Sequence, residues 1–442
     1  MFRVIFGLTM LMSTLRFIIL GWIEDQYTQP MLHFSYFGFG WVHPMDQAGM
    51  YAVFILMAVC SVSIALGLFY RLSIISFFLL FGYVELIDVS YYLNHYYFVS
   101  LASFLMIWVP AHRYFSLDVQ RNPHWKLEQV PRWCVAIFKL QLGLVYFYAG
   151  LAKINADWLL NALPLKVWLP AKDTLPLIGW LFRFLETAYI FSWGGMLYDV
   201  SIPFFLLYRP TRLWAYLAVI GFHVMTGLLF QIGVFPLVMI MFTLIFFSES
   251  FHRSMIDHLR RCLPVFQRLP QAGTIVPTLP GRAVKWRERA LLSMLTLHFL
   301  IQIIFPWRYL LYPGNLFWTE EGYRFSWRVM LMEKAGTATF YVKDSRSNRE
   351  GVVNNREFLN AHQEKQMAMQ PDMILQFAHF LARHYEKRGV YQPQVRAEVY
   401  VTLNARPSRL LIDPRVNLVE KKDGWRTKNW IIPWEDEQVS KK

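Results

Sequence analysis

The chain has 442 residues, 55% of them apolar and 17% aromatic, and its 44 Lys and Arg against 30 Asp and Glu give a formal charge of +14. Several apolar runs approach the roughly 20 residues needed to cross about 30 Å of hydrocarbon, which excludes a soluble globular protein. The positive charge does not point to nucleic acid, because the basic residues cluster between apolar runs as the positive-inside rule requires, and no nucleic-acid-binding motif accompanies them.

In chain order, nine spans are predicted, at residues 4–22, 50–69, 72–92, 97–110, 133–153, 188–208, 213–230, 234–247 and 290–305. The first resembles a signal peptide, but Arg16 interrupts it and no small-x-small cleavage site follows, so it is expected to be a retained span. The fourth and eighth are short for a full crossing. Basic connections (Arg3, Arg71, 113–132, 209–212 and 252–289) alternate with less basic ones (24–47, 93–96, 155–186 and 231–233). That alternation predicts an N-terminus inside and a C-terminus outside. The loop at 155–186 carries Trp158, Trp168 and Trp180 with three prolines, which suggests pieces lying at the membrane interface.

Beyond Phe305 the sequence turns polar. Thr337 to Val342 and Val395 to Thr402 alternate with period two and read as strands, while 372–388 places Ile374, Phe377, Phe380 and Leu381 at helical spacing. The expected fold is therefore a polytopic α-helical membrane protein of about nine transmembrane helices over 1–305. A C-terminal extracytoplasmic α+β domain over 306–442 completes it. Cys60, Cys134 and Cys262 fall in or near spans or in a basic loop, which argues against a disulfide framework or a cysteine zinc site.

Lys153 ends the fifth span, and a lysine at that depth is costly unless it pairs, snorkels or stays neutral. The loop-charge topology places Asn94 and His95, in the turn between spans three and four, at the same outer level. His223 lies about 11 residues beyond Arg212, roughly 16 Å up a helix rising from the inner face. These groups converge in depth, and their lateral proximity is a hypothesis. Each also has a structural reading: Lys153 as a snorkelling anchor, His95 as a partner of loop carbonyls, His223 as an interhelical hydrogen-bonder. The other intramembrane charges, Arg16, Glu85, Asp88, Lys139 and Asp199, are expected to form structural pairs, with Arg16 matched to Glu85 or Asp88. No H-x-x-x-H or H-E-x-x-H spacing occurs in the spans, so no metal site is predicted.

Three stretches carry a family resemblance: Gly150-x-x-Lys153-Ile-x-Ala-Asp157-Trp158, Asn94-His95-Tyr96-Tyr97, and Phe222-His223-x-Met225 followed by Leu229-Phe230-x-Ile232-Gly233. With Glu321-Gly-Tyr-Arg-Phe-Ser-Trp327-Arg-Val-Met330, Gln376-Phe-Ala-x-Phe-Leu381 and Ile412-Asp413-Pro414-Arg415-Val416, they resemble the vitamin K-dependent γ-glutamyl carboxylases, within the broader HTTM domain family. That resemblance implies an enzyme that uses reduced vitamin K, O₂ and CO₂ to carboxylate glutamate at its γ-carbon and releases the quinol as its 2,3-epoxide. The family's catalytic lysine falls on Lys153 and its functional histidines on His95 and His223. Animal enzymes have a lysine pair where this chain has Ala152-Lys153, and they continue well past the Asp-Pro motif, so a short bacterial-type homologue in an inner membrane is expected. The expected partners are membrane lipid, the quinol, and a secreted or periplasmic glutamate-containing peptide or protein.

A glutamate γ-hydrogen lies far beyond any side-chain base, and the family makes a strong base from an oxygenated quinol anion. Removing the quinol proton needs a neutral lysine, which burial in a low dielectric favours. Lys153 is accordingly assigned as the base, His223 as a hydrogen-bond donor to a quinone or alkoxide oxygen, and Asn94-His95 as the group orienting glutamate or CO₂. Tyr148, Gly150, Phe222 and Met225 are expected to contact the quinol, with small side chains at Ala149, Gly150 and Ala152 admitting a flat ring. Arg406, Asp157 and Trp158 are weighed as substrate-binding residues, with Arg406 equally readable as part of a structural salt bridge. The alternatives are a quinol epoxidase without carboxylation, and a non-enzymatic transporter or lipid-binding scaffold. A transporter would be favoured by inverted repeats, and no such symmetry is seen.

Overall fold

The computed structural model describes residues 1–127, 129–230, 232–262 and 285–434. The middle of the basic connection predicted at 252–289 lies outside them, as does Gln231 in the connection at 231–233.

Among the described residues, seven helices are long and apolar enough to cross a membrane. They cover Phe2–Ile19, Gln47–Leu66, Tyr70–Ile87, Trp133–Ala152, Leu185–Leu207, Arg212–Leu229 and Glu288–Leu311. An eighth candidate is broken: Phe235–Phe246 turns by 120° into Glu249–Met255. The fourth predicted span forms the helix Asn94–Trp108, whose 15 residues reach only about 22 Å. Nine predicted spans thus become seven full ones, a bent pair and a short helix, because composition marks an apolar run without revealing where its backbone breaks.

Local chemistry sets several boundaries. Asp46 caps the second helix by accepting from Gly49 N at 2.9 Å. Gly67, at φ +67°, ends that helix in the left-handed conformation that glycine adopts without steric cost. Asp118 accepts from the first amides of the next helix, Phe69 N at 2.8 Å and Tyr70 N at 3.0 Å. Small residues let helices touch. A Cβ built on Gly7 would lie 2.6 Å from Ala65 N, and one on Gly150 would lie 2.6 Å from Val200 N.

The C-terminal region holds a four-stranded antiparallel sheet in the order β2-β1-β3-β4, with β1 at Lys334–Lys343, β2 at Glu350–Val352, β3 at Gln394–Leu403 and β4 at Arg409–Leu410. Phe340 pairs with Ala397 across β1 and β3 and meets Phe377 of the helix Pro371–Glu386 edge-on at 4.9 Å. Both predicted strands and the predicted amphipathic helix are present. The sheet unit docks on the helical bundle through side chains that seek backbone groups. Gln363 donates to Leu32 O at 2.8 Å and to Asp88 Oδ2 at 2.7 Å, and Gln376 donates to Ser35 O at 3.0 Å.

The pairing of Arg16 with Glu85 or Asp88 does not form. Arg16 stacks over Trp22, 4.5 Å from the ring centroid, where a guanidinium gains cation–π contact without needing an acid. Asp88 is held instead by Ser90 N and Gln363.

Candidate active site

Lys153 follows the last residue of the helix Trp133–Ala152 and is only 6% exposed. It does not snorkel. Its Nζ turns into the bundle, 2.7 Å from Asp199 Oδ2 on the helix Leu185–Leu207 and 3.2 Å from Ala149 O. An ammonium has three N–H bonds, so one stays available beyond these two partners. The indole of Trp158 covers the group, with Nζ 5.4 Å from its centroid. Trp158 is fixed in turn: its Nε1 donates to Ser192 O at 2.7 Å, and its backbone N donates to Asn155 Oδ1, which caps the short helix Ala156–Leu159.

Tyr146 lies seven residues before Lys153, two turns down the same helix face. Its hydroxyl is 2.9 Å from His223 Nε2, and His223, 2% exposed, has no partner for Nδ1. Where Tyr146 donates to Nε2, Nδ1 carries the ring proton and points it at no protein acceptor. Phe222 stacks on Tyr198 at 4.1 Å, next to Asp199. Phe235 meets the His223 ring edge-on at 5.8 Å and packs against the His95 ring at 5.5 Å. His95 and His223 therefore flank one phenylalanine, and Tyr146 ties His223 to the lysine helix. The lateral proximity left open by the sequence is seen for His95 and His223, which share Phe235, whereas Lys153 stands two helical turns from the Tyr146–His223 contact.

Other candidates lie elsewhere. Asn94 joins the two parts of the molecule: its Nδ2 donates to Arg328 O at 3.1 Å, and its Oδ1 accepts from Tyr92 Oη at 3.1 Å. Tyr148 faces away from Lys153, donating to Ile303 O at 2.6 Å and accepting from Trp307 Nε1 at 3.1 Å. The space beside Gly150 is filled by Val200 and the Asp199 backbone, so the glycine seats a helix crossing where room for a flat ring was expected. Met225 packs, partly buried, in the cluster that continues into the sheet unit. Arg406 grips Asp157 with both terminal nitrogens, Nη1 at 2.8 Å, and Asn404 adds a bond at 2.7 Å. That is the structural salt bridge. Burial would raise the Asp157 carboxyl, but the bonds from Arg406 and Asn404 outweigh it and hold the group below the usual carboxylate range.

Two surface cavities, of about 580 Å³ beside His33 and His43 and about 450 Å³ beside His379 and Arg383, include none of Lys153, His95 and His223. Among the described residues, no three His, Cys, Asp or Glu side chains are placed to hold a metal ion.

Asp199, Tyr146 and Phe235 were not assigned site roles from sequence. A lone acid within an apolar helix was the available signal for Asp199, and an aromatic two turns before the lysine was the signal for Tyr146.

Residues 1–251 match the HTTM domain, and residues 287–437 match the vitamin K-dependent gamma-carboxylase lumenal domain. No solved structure matches the chain. The second match begins one residue before the last membrane span, so the two descriptions together cover most of the bundle and the sheet unit. The chain belongs to the vitamin K-dependent gamma-carboxylase family of HTTM-domain membrane proteins.

Proposed function

We propose that this protein is an integral-membrane γ-glutamyl carboxylase that oxygenates reduced vitamin K to its 2,3-epoxide and carboxylates glutamate with CO₂. The observation that supports it best is the inward-turned Lys153, roofed by Trp158 and sharing a helix face with the Tyr146–His223 pair. The residues suit a hydroquinone. The Phe222–Tyr198 stack and Phe235 offer flat apolar faces, and the unpartnered His223 Nδ1 offers a hydrogen bond for an oxygen. Reduced vitamin K with O₂ would supply the strong base that no side chain can provide.

In this reading Lys153 removes the quinol proton, His223 donates to the oxygen that gains charge, and His95 orients glutamate or CO₂ on the far side of Phe235. The apolar helices and the Trp158 roof keep out the water that would quench a strong base. Asn94 positions His95 by fixing the start of its helix against Arg328 O. The loop charges support residues 1–305 as the membrane domain with its N-terminus inside, and residues 306–442 outside, in a bacterial inner membrane. A secreted or periplasmic glutamate-containing protein would then be the substrate.

Purified protein given reduced vitamin K, a glutamate-containing peptide and labelled bicarbonate tests this by mass spectrometry. Vitamin K epoxide and labelled peptide together are expected. Epoxide without label would select an epoxidase that does not carboxylate, and neither product would reject the enzyme.

A further inference from the structure

We infer that Asp199 is a positioning residue for this chemistry: it draws Lys153 into the bundle and takes the ammonium proton, leaving a free amine. This rests on the reading of Lys153 as the base. A protonated lysine has no lone pair to accept a proton. Asp199 is the only carboxylate ion-paired with Lys153 among the described residues. The two side chains are 8% and 6% exposed and meet at 2.7 Å.

In that setting the charged and neutral forms of the pair differ by the position of one proton along one hydrogen bond. A low dielectric narrows their difference, because the ion pair forfeits hydration that the neutral pair does not need. The step is balanced: Lys153–NH₃⁺ and Asp199–COO⁻ become Lys153–NH₂ and Asp199–COOH, one N–H bond breaking and one O–H bond forming. Rotation about Cε–Nζ would turn the amine's one lone pair from the Asp199 hydroxyl toward the substrate, where it would take a quinol hydroxyl proton and become Lys153–NH₃⁺, with nothing oxidised or reduced in either step.

Three features hold the geometry. Gly150 lets its helix approach the backbone of Val200, the residue after Asp199, so the two helices meet at the pair. The Trp158 indole closes the top and is anchored to Ser192, seven residues before Asp199 on the same helix. Ala149 O takes a second N–H and fixes the direction of Nζ.

The test compares epoxidation of reduced vitamin K by the wild type and Asp199→Asn. The expected result is a fall in kcat of about 100-fold, in the range of general acid–base catalysis, with KM for the quinol within about threefold. Unchanged kcat overturns the inference. Should Asp199→Asn fail to fold, Lys153→Ala and the charge-neutral Lys153→Ala/Asp199→Asn are compared with added small amines. Amine should restore epoxidation to the single variant only. Equal restoration, or none in either, overturns the inference. A wild type that forms no epoxide is the separate failure of the proposed function.

Discussion

Arg406 and Asp157 meet as a two-pronged ion pair that ties the sheet unit to the loop just after the lysine helix. Asn404 shares the carboxylate, so one acid anchors both ends of the turn that leaves β3. Arg406→Ala should lower the unfolding free energy by about 2 kcal/mol, because it leaves a half-buried carboxylate short of two charged hydrogen bonds. The bonds depress the folded pKa of Asp157, so its contribution is present above the ordinary carboxylate pKa of about 3.9 and is lost as pH falls through the depressed folded value. Unfolding in detergent should therefore separate wild type from variant by a constant gap between about pH 5 and 8, closing in stronger acid. A gap that widened on acidification would contradict the pairing.

His223 and Tyr146 separate contact from support. His223→Phe keeps the ring packed between Tyr146 and Phe235 but removes the Nδ1 donor, so kcat for epoxidation should drop by about 100-fold with little change in thermal midpoint. Tyr146→Phe removes only the bond that orients the imidazole. It should cost about tenfold, the equivalent of one ordinary hydrogen bond. Equal losses in the two variants would mean that Tyr146 itself touches the reacting groups.

The sequence made the strands, the amphipathic helix and the depth of Lys153, His95 and His223 readable, because period and charge alternation register one-dimensional order. Phe340 and Phe377 illustrate it: each falls on the buried face that its period predicted. The partner of Lys153 was not readable. Lys153 ends its helix, whereas Asp199 lies about 14 residues into its own, so a count from the span ends sets them at different depths. They meet because residues 155–184 fold over the lysine end, Trp158 reaching Ser192 two turns before Asp199, so the helix Leu185–Leu207 starts well above the lysine. Tyr148 failed for a similar reason: the last helix and its extension claim its hydroxyl through Ile303 and Trp307, from about 155 residues away in sequence.

Gly150 ties packing to the site. Alanine there would put a methyl group 2.6 Å from Val200 N, a backbone atom that cannot rotate away. Gly150→Ala should cost about 1–3 kcal/mol through overpacking and push the helices apart at Lys153 and Asp199. Thermal unfolding should show the loss, and epoxidation should fall further than quinol affinity. A variant as stable and active as wild type would mean that the crossing is looser than this contact.

Orientation has a direct chemical readout at Gly351. This residue lies exposed on the edge strand β2, and a Cβ built there meets nothing within 4 Å, so a cysteine fits without disturbing the sheet. Cys60 and Cys134 are buried, and Cys262→Ser removes the remaining thiol. If the basic connections face the cytoplasm as their charge requires, β2 faces outward, and a membrane-impermeant maleimide should label Gly351→Cys in intact cells. Lysed cells give the full extent of labelling at Gly351. Labelling seen only after lysis would place the sheet unit, and with it the Lys153 end of the bundle, on the cytoplasmic side, and would exclude secreted proteins as substrates.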